Sequence, residues 1–251
     1  MGWWKYLLIG FCGYLFFLLS GLPAQHVLGW VGTDTQKPLF TYGNVKGTLW
    51  RGKMEAVRLQ GIPIDKLKWH FTPTELLFGR IGFDIQINHI GQQLEGTLAI
   101  GTGDLYRLED ISGRLPAEMI PPLIDLGQIG VGGLIDLDLQ HLTVEAQQIT
   151  SAEGKIKWLD SALLSPFPLK VGDLQAELLT DDEGAVKAKV KDMGGATSVD
   201  GELSLNMNGN FRVSGDIKPG TESDPGLGSA LKAVSKSQPD GSYRIDFSAN
   251  L

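Results

Sequence analysis

From about residue 40 to its end, the chain is dominated by short runs in which apolar and polar residues alternate. Ile81-Gly-Phe83-Asp-Ile85-Gln-Ile87-Asn88 is one such run, and Ile135-Asp-Leu137-Asp-Leu139-Gln140 is another. The same period of two recurs in Val186-Lys-Ala188-Lys-Val190-Lys191, Leu203-Ser-Leu205-Asn-Met207, Phe211-Arg-Val213-Ser214 and Tyr243-Arg-Ile245-Asp-Phe247. It predicts half-buried strands, each with one apolar and one wet face, as in antiparallel sheets solvated on one side. Glycine-bearing breaks such as Asn208-Gly209-Asn210 read by composition as hairpin turns between them.

Helical patterns are few. Pro116 to Leu126 predicts a short helix, interrupted at Pro121-Pro122. Asp224-Pro225 followed by Leu227, Leu231 and Val234 predicts a capped helix with a first-turn proline and an apolar stripe. Both read as plugs at the ends of a sheet.

The N-terminal pattern is different. Tyr6 to Thr33 carries no formal charge, and Tyr6 to Leu22 is almost continuously apolar. A membrane-crossing helix needs about 20 apolar residues, so this stretch lies near the lower limit. Trp3, Trp4 and Tyr6 stand at one end and Trp30 beyond the other, where interfacial aromatics are favoured. Lys5 and the terminal amine are the only positive charges before the span, which places the N-terminus in the cytoplasm. A cleavable signal peptide is the competing reading, but the apolar run is long and Leu22 stands where a small residue is wanted. The expected organisation is a cytoplasmic N-terminus and anchor over residues 1–30, then a periplasmic β-rich domain over 31–251. A phrase of glycine followed by an alternating strand recurs at Gly47-Thr-Leu-Trp50, Gly96-Thr-Leu98, Gly154-Lys-Ile-Lys-Trp158 and Gly201-Glu-Leu203. It is compatible with two similar halves, about 40–110 and 130–250.

Composition narrows the chemistry. The single Cys12 lies in the apolar segment, so the remainder has no disulfide, cysteine metal site or thiol nucleophile. A formal charge of −7 argues against nucleic acid as a partner. His26, His70, His89 and His141 have no metal-ligand spacing. Asp136 and Asp138 share a strand face, but alternation puts both on the wet side, where neither gains the apolar pocket a glycosidase acid needs. Asp181-Asp182-Glu183-Gly184 is too short for a calcium loop. Neither a Gly-x-Ser-x-Gly elbow nor a phosphate-binding glycine loop occurs. Trp50, Trp69 and Trp158 could form a stacking platform, but such residues more often supply bulk to a sheet core. No catalytic, cofactor or metal residue is therefore expected, and no cofactor.

One set of residues points further. Val45-Lys-Gly47-Thr48-Leu49-Trp50-Arg51-Gly52, then Leu67-Lys-Trp69, Pro73, Leu76-Leu77 and Gly79, resembles the opening of the type II secretion system protein N family, also called general secretion pathway protein N. Gly154-Lys-Ile-Lys-Trp158, Gly201-Glu-Leu203, Gly215 and Gly241-Ser-Tyr243 are similar to its second half. That family is similar in turn to the bridge-like β proteins typified by AsmA. The resemblance implies a mainly β protein: one N-terminal transmembrane helix, then an elongated, largely antiparallel twisted sheet with one or two short helices. It implies a non-enzymatic, inner-membrane accessory component of the machine that exports proteins across the outer membrane of Gram-negative bacteria. Its partners would be other subunits of that machine, the secretin or the inner-membrane platform among them. The alternative is an AsmA-like module that binds or transfers lipid in the periplasm.

Overall fold

The computed structural model of the chain describes residues 3–31, 40–59, 62–120, 130–146, 148–165, 168–206 and 210–250. Helix α1 (Trp4–Ser20) is followed by α2 (Ala24–Val31). Next come strands β1 (Phe40–Thr41), β2 (Asn44–Gly47), β3 (Arg51–Leu59), β4 (Ile62–Thr72), β5 (Ile81–His89), β6 (Gln92–Ile100) and β7 (Leu105–Pro116). The second part holds β8 (Gly130–Glu145), β9 (Gln148–Ser165), β10 (Leu169–Thr180), β11 (Val186–Asp192), β12 (Thr197–Leu205) and β13 (Asn210–Pro219). Helix α3 (Leu227–Val234), β14 (Lys236–Ser237) and β15 (Tyr243–Asn250) complete it.

All fifteen strands among the described residues belong to one antiparallel sheet. From β3 to β12 each strand is bonded to the strand before it and the strand after it. Alternating sequences joined by short turns favour this arrangement, because a hairpin fixes its own register. The short β1 and β2 both lie along the outer side of β3. At the other margin β15 enters between β13 and the two-residue β14. The runs singled out by their alternation lie in strands, except that the run from Leu203 leaves β12 after Leu205 and its Met207 lies outside the described residues. Leu205 pairs with Phe211 across the expected hairpin at 208–210, of which 208 and 209 lie outside those described.

The helices depart from the sequence pattern in detail. Where a helix is expected from Pro116, the structure holds a three-residue 3-10 turn, Ala117–Met119, and residues 121–126 lie outside those described. Helix α3 forms, but Asp224 does not cap it. Its carboxylate accepts the Gly226 amide (2.8 Å), so the aspartate closes the preceding turn and Pro225 stands ahead of the helix. A 3-10 helix at Pro73–Phe78 has no forewarning in the pattern.

Helix α1 contains 17 residues. At about 1.5 Å per residue it spans roughly 26 Å, against about 30 Å for a bilayer's hydrocarbon core. Among the described residues no helix is long and apolar enough to cross a membrane. The chain leaving α1 is stitched directly to the sheet. The Leu49 amide donates to the Leu22 carbonyl (2.9 Å), and Pro23 forms an isolated bridge with Thr48.

Candidate functional site

The feature with chemical consequence is one whole face of the sheet. Directly paired residues share a face, so the register can be followed from strand to strand. One such row runs Trp69, Ile85, Gly96, then Ile111, Leu139, Gly154, Leu178, Ala188, Leu203, Val213 and Phe247. Its neighbour runs Met54, Leu67, Ile87, Leu94, Gly113, Leu137, Ile156, Ala176, Val190, Gly201, Gly215 and Ile245. Neither row contains a polar side chain. The apolar face is therefore continuous from β3 to β15.

Covering elements are small and local. Helix α2 places Leu28 against the cluster of Met54, Val57 and Ile64. The 3-10 turn after β7 buries Ala117 completely with Val131 and Ile135. Leu227 and Leu231 of α3 close on Leu169, Ile217 and Tyr243. Elsewhere most of the face is half-buried, Ile111 and Leu139 are buried, and Phe247 at its margin is 54% exposed. Beside the turn after β7 lies a cleft of about 610 Å³, lined by Ile62, Pro63, His89, Met119 and Leu134 among others. It shares Ile62, His89 and Met119 with a narrower recess of about 120 Å³ whose walls include Ile64, Leu94 and Leu115. Volumes of this order suit small apolar ligands or single chains.

The opposite face is charged. Lys53, Lys68, Gln86, Glu95, Ser112, Asp138, Lys155, Glu177, Lys189 and Glu202 succeed one another across it. Lys155 and Glu177 approach to 3.8 Å, and Arg114 donates to Asp136 at 2.9 Å. Exposed pairs of this kind contribute little stability each. At the β10–β11 turn, the hydrogen bond from Lys187 holds the Asp181 carboxyl below its usual range. At the β11–β12 turn the Val199 amide, with help from Gly194, does the same for Asp192.

The structure places the candidate residues as follows. His70 and His141 lie in one row on β4 and β8, four strand spacings or about 19 Å apart, too far to share a metal. His26 is on α2, and His89 sits in the apolar cleft, 8% exposed, with Nδ1 3.6 Å from Asp65. Among the described residues no group of three or more potential ligands could hold a metal. Asp136 and Asp138 both lie on the charged face, and Asp136 is held by Arg114. Asp181 organises its turn by accepting the Glu183 and Ala185 amides.

Trp50, Trp69 and Trp158 are tied into the sheet. Trp69 donates its indole N–H to the Leu49 carbonyl (3.0 Å), and Trp158 to that of Gly132 (2.9 Å). Trp50 meets Phe71 edge to face, 4.7 Å between ring centres. The Gly47-Thr48-Leu49-Trp50-Arg51-Gly52 phrase thus has a physical reading. Gly47 takes the left-handed φ of 105° that the tight turn demands, and Gly52 leaves the space occupied by the Trp69 ring. Leu49 ties the turn both to Trp69 and to the exit of α1. What the sequence did not reveal is the unlayered extent of the apolar face. That depends on register across twelve strands, which no single run discloses.

Comparison with known proteins adds the lineage. Residues 38–246 match the model of the family described as "Type II secretion system (T2SS), protein N". Three relatives bear the name "Type II secretion system protein N". That of Vibrio cholerae serotype O1 (strain ATCC 39315 / El Tor Inaba N16961) is 27% identical over 207 residues, covering 81% of each chain. That of Aeromonas hydrophila is 25% identical, over 92% of this chain and 91% of the relative. That of Pectobacterium carotovorum subsp. carotovorum is 22% identical, over 95% and 93% respectively. No solved structure matches the chain.

Proposed function

The chain belongs to the type II secretion system protein N family, and on that premise we propose that it is a non-catalytic component of a type II secretion apparatus. The observation that carries this reading is the family match over residues 38–246, nearly the whole of the sheet. In this reading α1 anchors the protein in the inner membrane with its N-terminus in the cytoplasm, and the sheet stands in the periplasm. Two features of α1 support the anchor. From Tyr6 to Leu19 its sequence is apolar on every side, and Trp4, Tyr6, Phe11 and Phe17 are all more than half exposed rather than packed on the sheet.

Docking to other subunits would use the charged face and the open margin of the sheet. Beyond Arg244, where β14 ends its pairing, the outer side of β15 offers unpaired backbone groups to an added strand among the described residues. Photo-reactive residues at Glu177 on the charged face and Phe247 at the margin test this in intact secreting cells. Adducts to the secretin or to inner-membrane platform proteins are expected. Their absence from both positions, with the protein expressed and folded, overturns the docking role.

A second reading is favoured by the apolar face and its cleft: an acyl chain of a lipid would cover surface that no second layer covers among the described residues. Mass spectrometry of organic extracts from the detergent-purified protein, with an unrelated single-span protein as control, decides it. Enrichment of lipid over the control supports the reading, and parity removes it.

A further inference from the structure

The sheet has two ends, and its exposed apolar side chains are not shared equally between them. The turn joining β4 to β5 lies at the end from which α1 departs. There the 3-10 helix Pro73–Phe78 carries Leu76 at 55%, Leu77 at 84% and Phe78 at 70% exposure, followed by Ile81 at 51%. Contiguous apolar surface of this kind at the tip of a turn marks an interaction site.

The tip is built to hold its shape. Glu75 is buried beneath it and accepts Arg80 Nε at 2.7 Å. Gly79 closes the helix in the left-handed conformation, with its amide on Leu76 and that of Arg80 on Glu75. A side chain at position 82 would collide with Glu75, so the strand supports the tip closely. Arg80 lies 5.2 Å from the Phe78 ring centre, but its charge is already matched by Glu75. Three apolar side chains are thus presented outward on a fixed base, with no free cation beside them in the turn.

The neighbour of this tip identifies what covers it. Leu22, two residues beyond α1, bonds to Leu49, and Trp50 accepts the Phe71 amide one strand further on. The tip therefore stands roughly two strand spacings, about 10 Å, from the helix exit. Helix α1 is also some 4 Å shorter than a hydrocarbon core, and a short span draws its flanking residues toward the bilayer. The end of the sheet beside such a helix is held against the interface. We propose that Leu76, Leu77 and Phe78 lie in the bilayer interface beside α1, as a second membrane contact that fixes the tilt of the sheet. The inference rests on the reading of α1 as a membrane anchor. Because Arg80 is committed to Glu75, insertion is driven by apolar area and is insensitive to salt and to anionic lipid.

The experiment uses the full chain in a Cys12→Ser background, reconstituted into phosphatidylethanolamine–phosphatidylglycerol vesicles containing acyl-chain spin-labelled lipid. A polarity-sensitive fluorophore is placed at Leu77→Cys or, at the far end of the sheet, at Ile90→Cys, whose native side chain is 68% exposed. Unchanged circular dichroism establishes that both variants are folded. The label at 77 is expected to shift to the blue and to be quenched several-fold more than the label at 90, equally in low and high salt. Equal quenching at the two positions overturns the contact, as does a blue shift without lipid quenching, which reports a protein surface instead. Flotation of the unlabelled chain with vesicles separates the two ideas. If it fails to float, anchor and contact fall together; if it floats while position 77 stays wet, only the contact falls.

Discussion

The two faces of the sheet are built from the same strands and obey different rules. On one, apolar rows cross eleven and twelve strands without a polar interruption and find three small covers among the described residues. On the other, lysines face glutamates and aspartates across neighbouring strands in exposed pairs. The first face is continuous matter, where removal of one side chain leaves a hole. The second is a set of loosely coupled charges in water. Stability should therefore be concentrated on one side of each strand, with the other side left free to vary for recognition.

Substitution can break that contrast. Leu139 sits in the middle of an apolar row at 6% exposure, so Leu139→Ala should cost about 2–5 kcal/mol, read from the midpoint of denaturant unfolding. Its row neighbour Gly154 holds a φ of 147°, and an added Cβ would meet the backbone of Asp138 and Leu139. Gly154→Ala should therefore lose about 1–3 kcal/mol by overpacking in the same assay, although it adds apolar volume to an apolar face. A loss in that direction would show that close strand approach, not hydrophobicity alone, limits the face.

Smaller effects sharpen the comparison. The Asp192 carboxyl is held below its usual range by turn amides, so its stabilisation is present above its unfolded pKa of about 3.9 and is lost as pH falls through the lowered folded value. Asp192→Asn should flatten the acid limb of a stability-against-pH curve and leave the neutral region's slope unchanged. Smallest of all, Lys155→Ala on the charged face should shift stability by no more than about 0.5 kcal/mol at neutral pH. A loss comparable to that of Leu139→Ala would erase the distinction between the faces.

Much of this was legible in the sequence because the side-chain period of a strand is two. Ile81 to Asn88 and Ile135 to Gln140 declare their faces residue by residue, and the family phrase around Trp50 pointed to the lineage later found over residues 38–246. What stayed hidden depends on pairing rather than periodicity. Trp69 and Gly52 are 17 residues apart, and nothing local says that one ring occupies the other's missing side chain. The left-handed kink at Asp110, with φ of 51°, lets Ile111 join the apolar row, a shift that simple alternation would miss. The 3-10 helix at Pro73–Phe78 escaped notice because its apolar residues point outward, against the usual rule for a turn. The expected α3 cap failed for a similar reason, since Asp224 found a nearer amide in its own turn.

The strand order has a temporal meaning as well. With each strand from β4 to β13 bonded to the one just made, a chain extruded N-terminus first always finds its next partner already in place. Loop closure is short at most of these steps, the 13 residues between β7 and β8 being the longest, so most of the nascent sheet can lengthen as quickly as residues are supplied. Only the margin breaks this order, because β14 must wait for β15 to thread between it and β13. That last insertion is the step at which a growing ribbon becomes a finished one, and the edge it leaves is the final surface the protein offers to its surroundings.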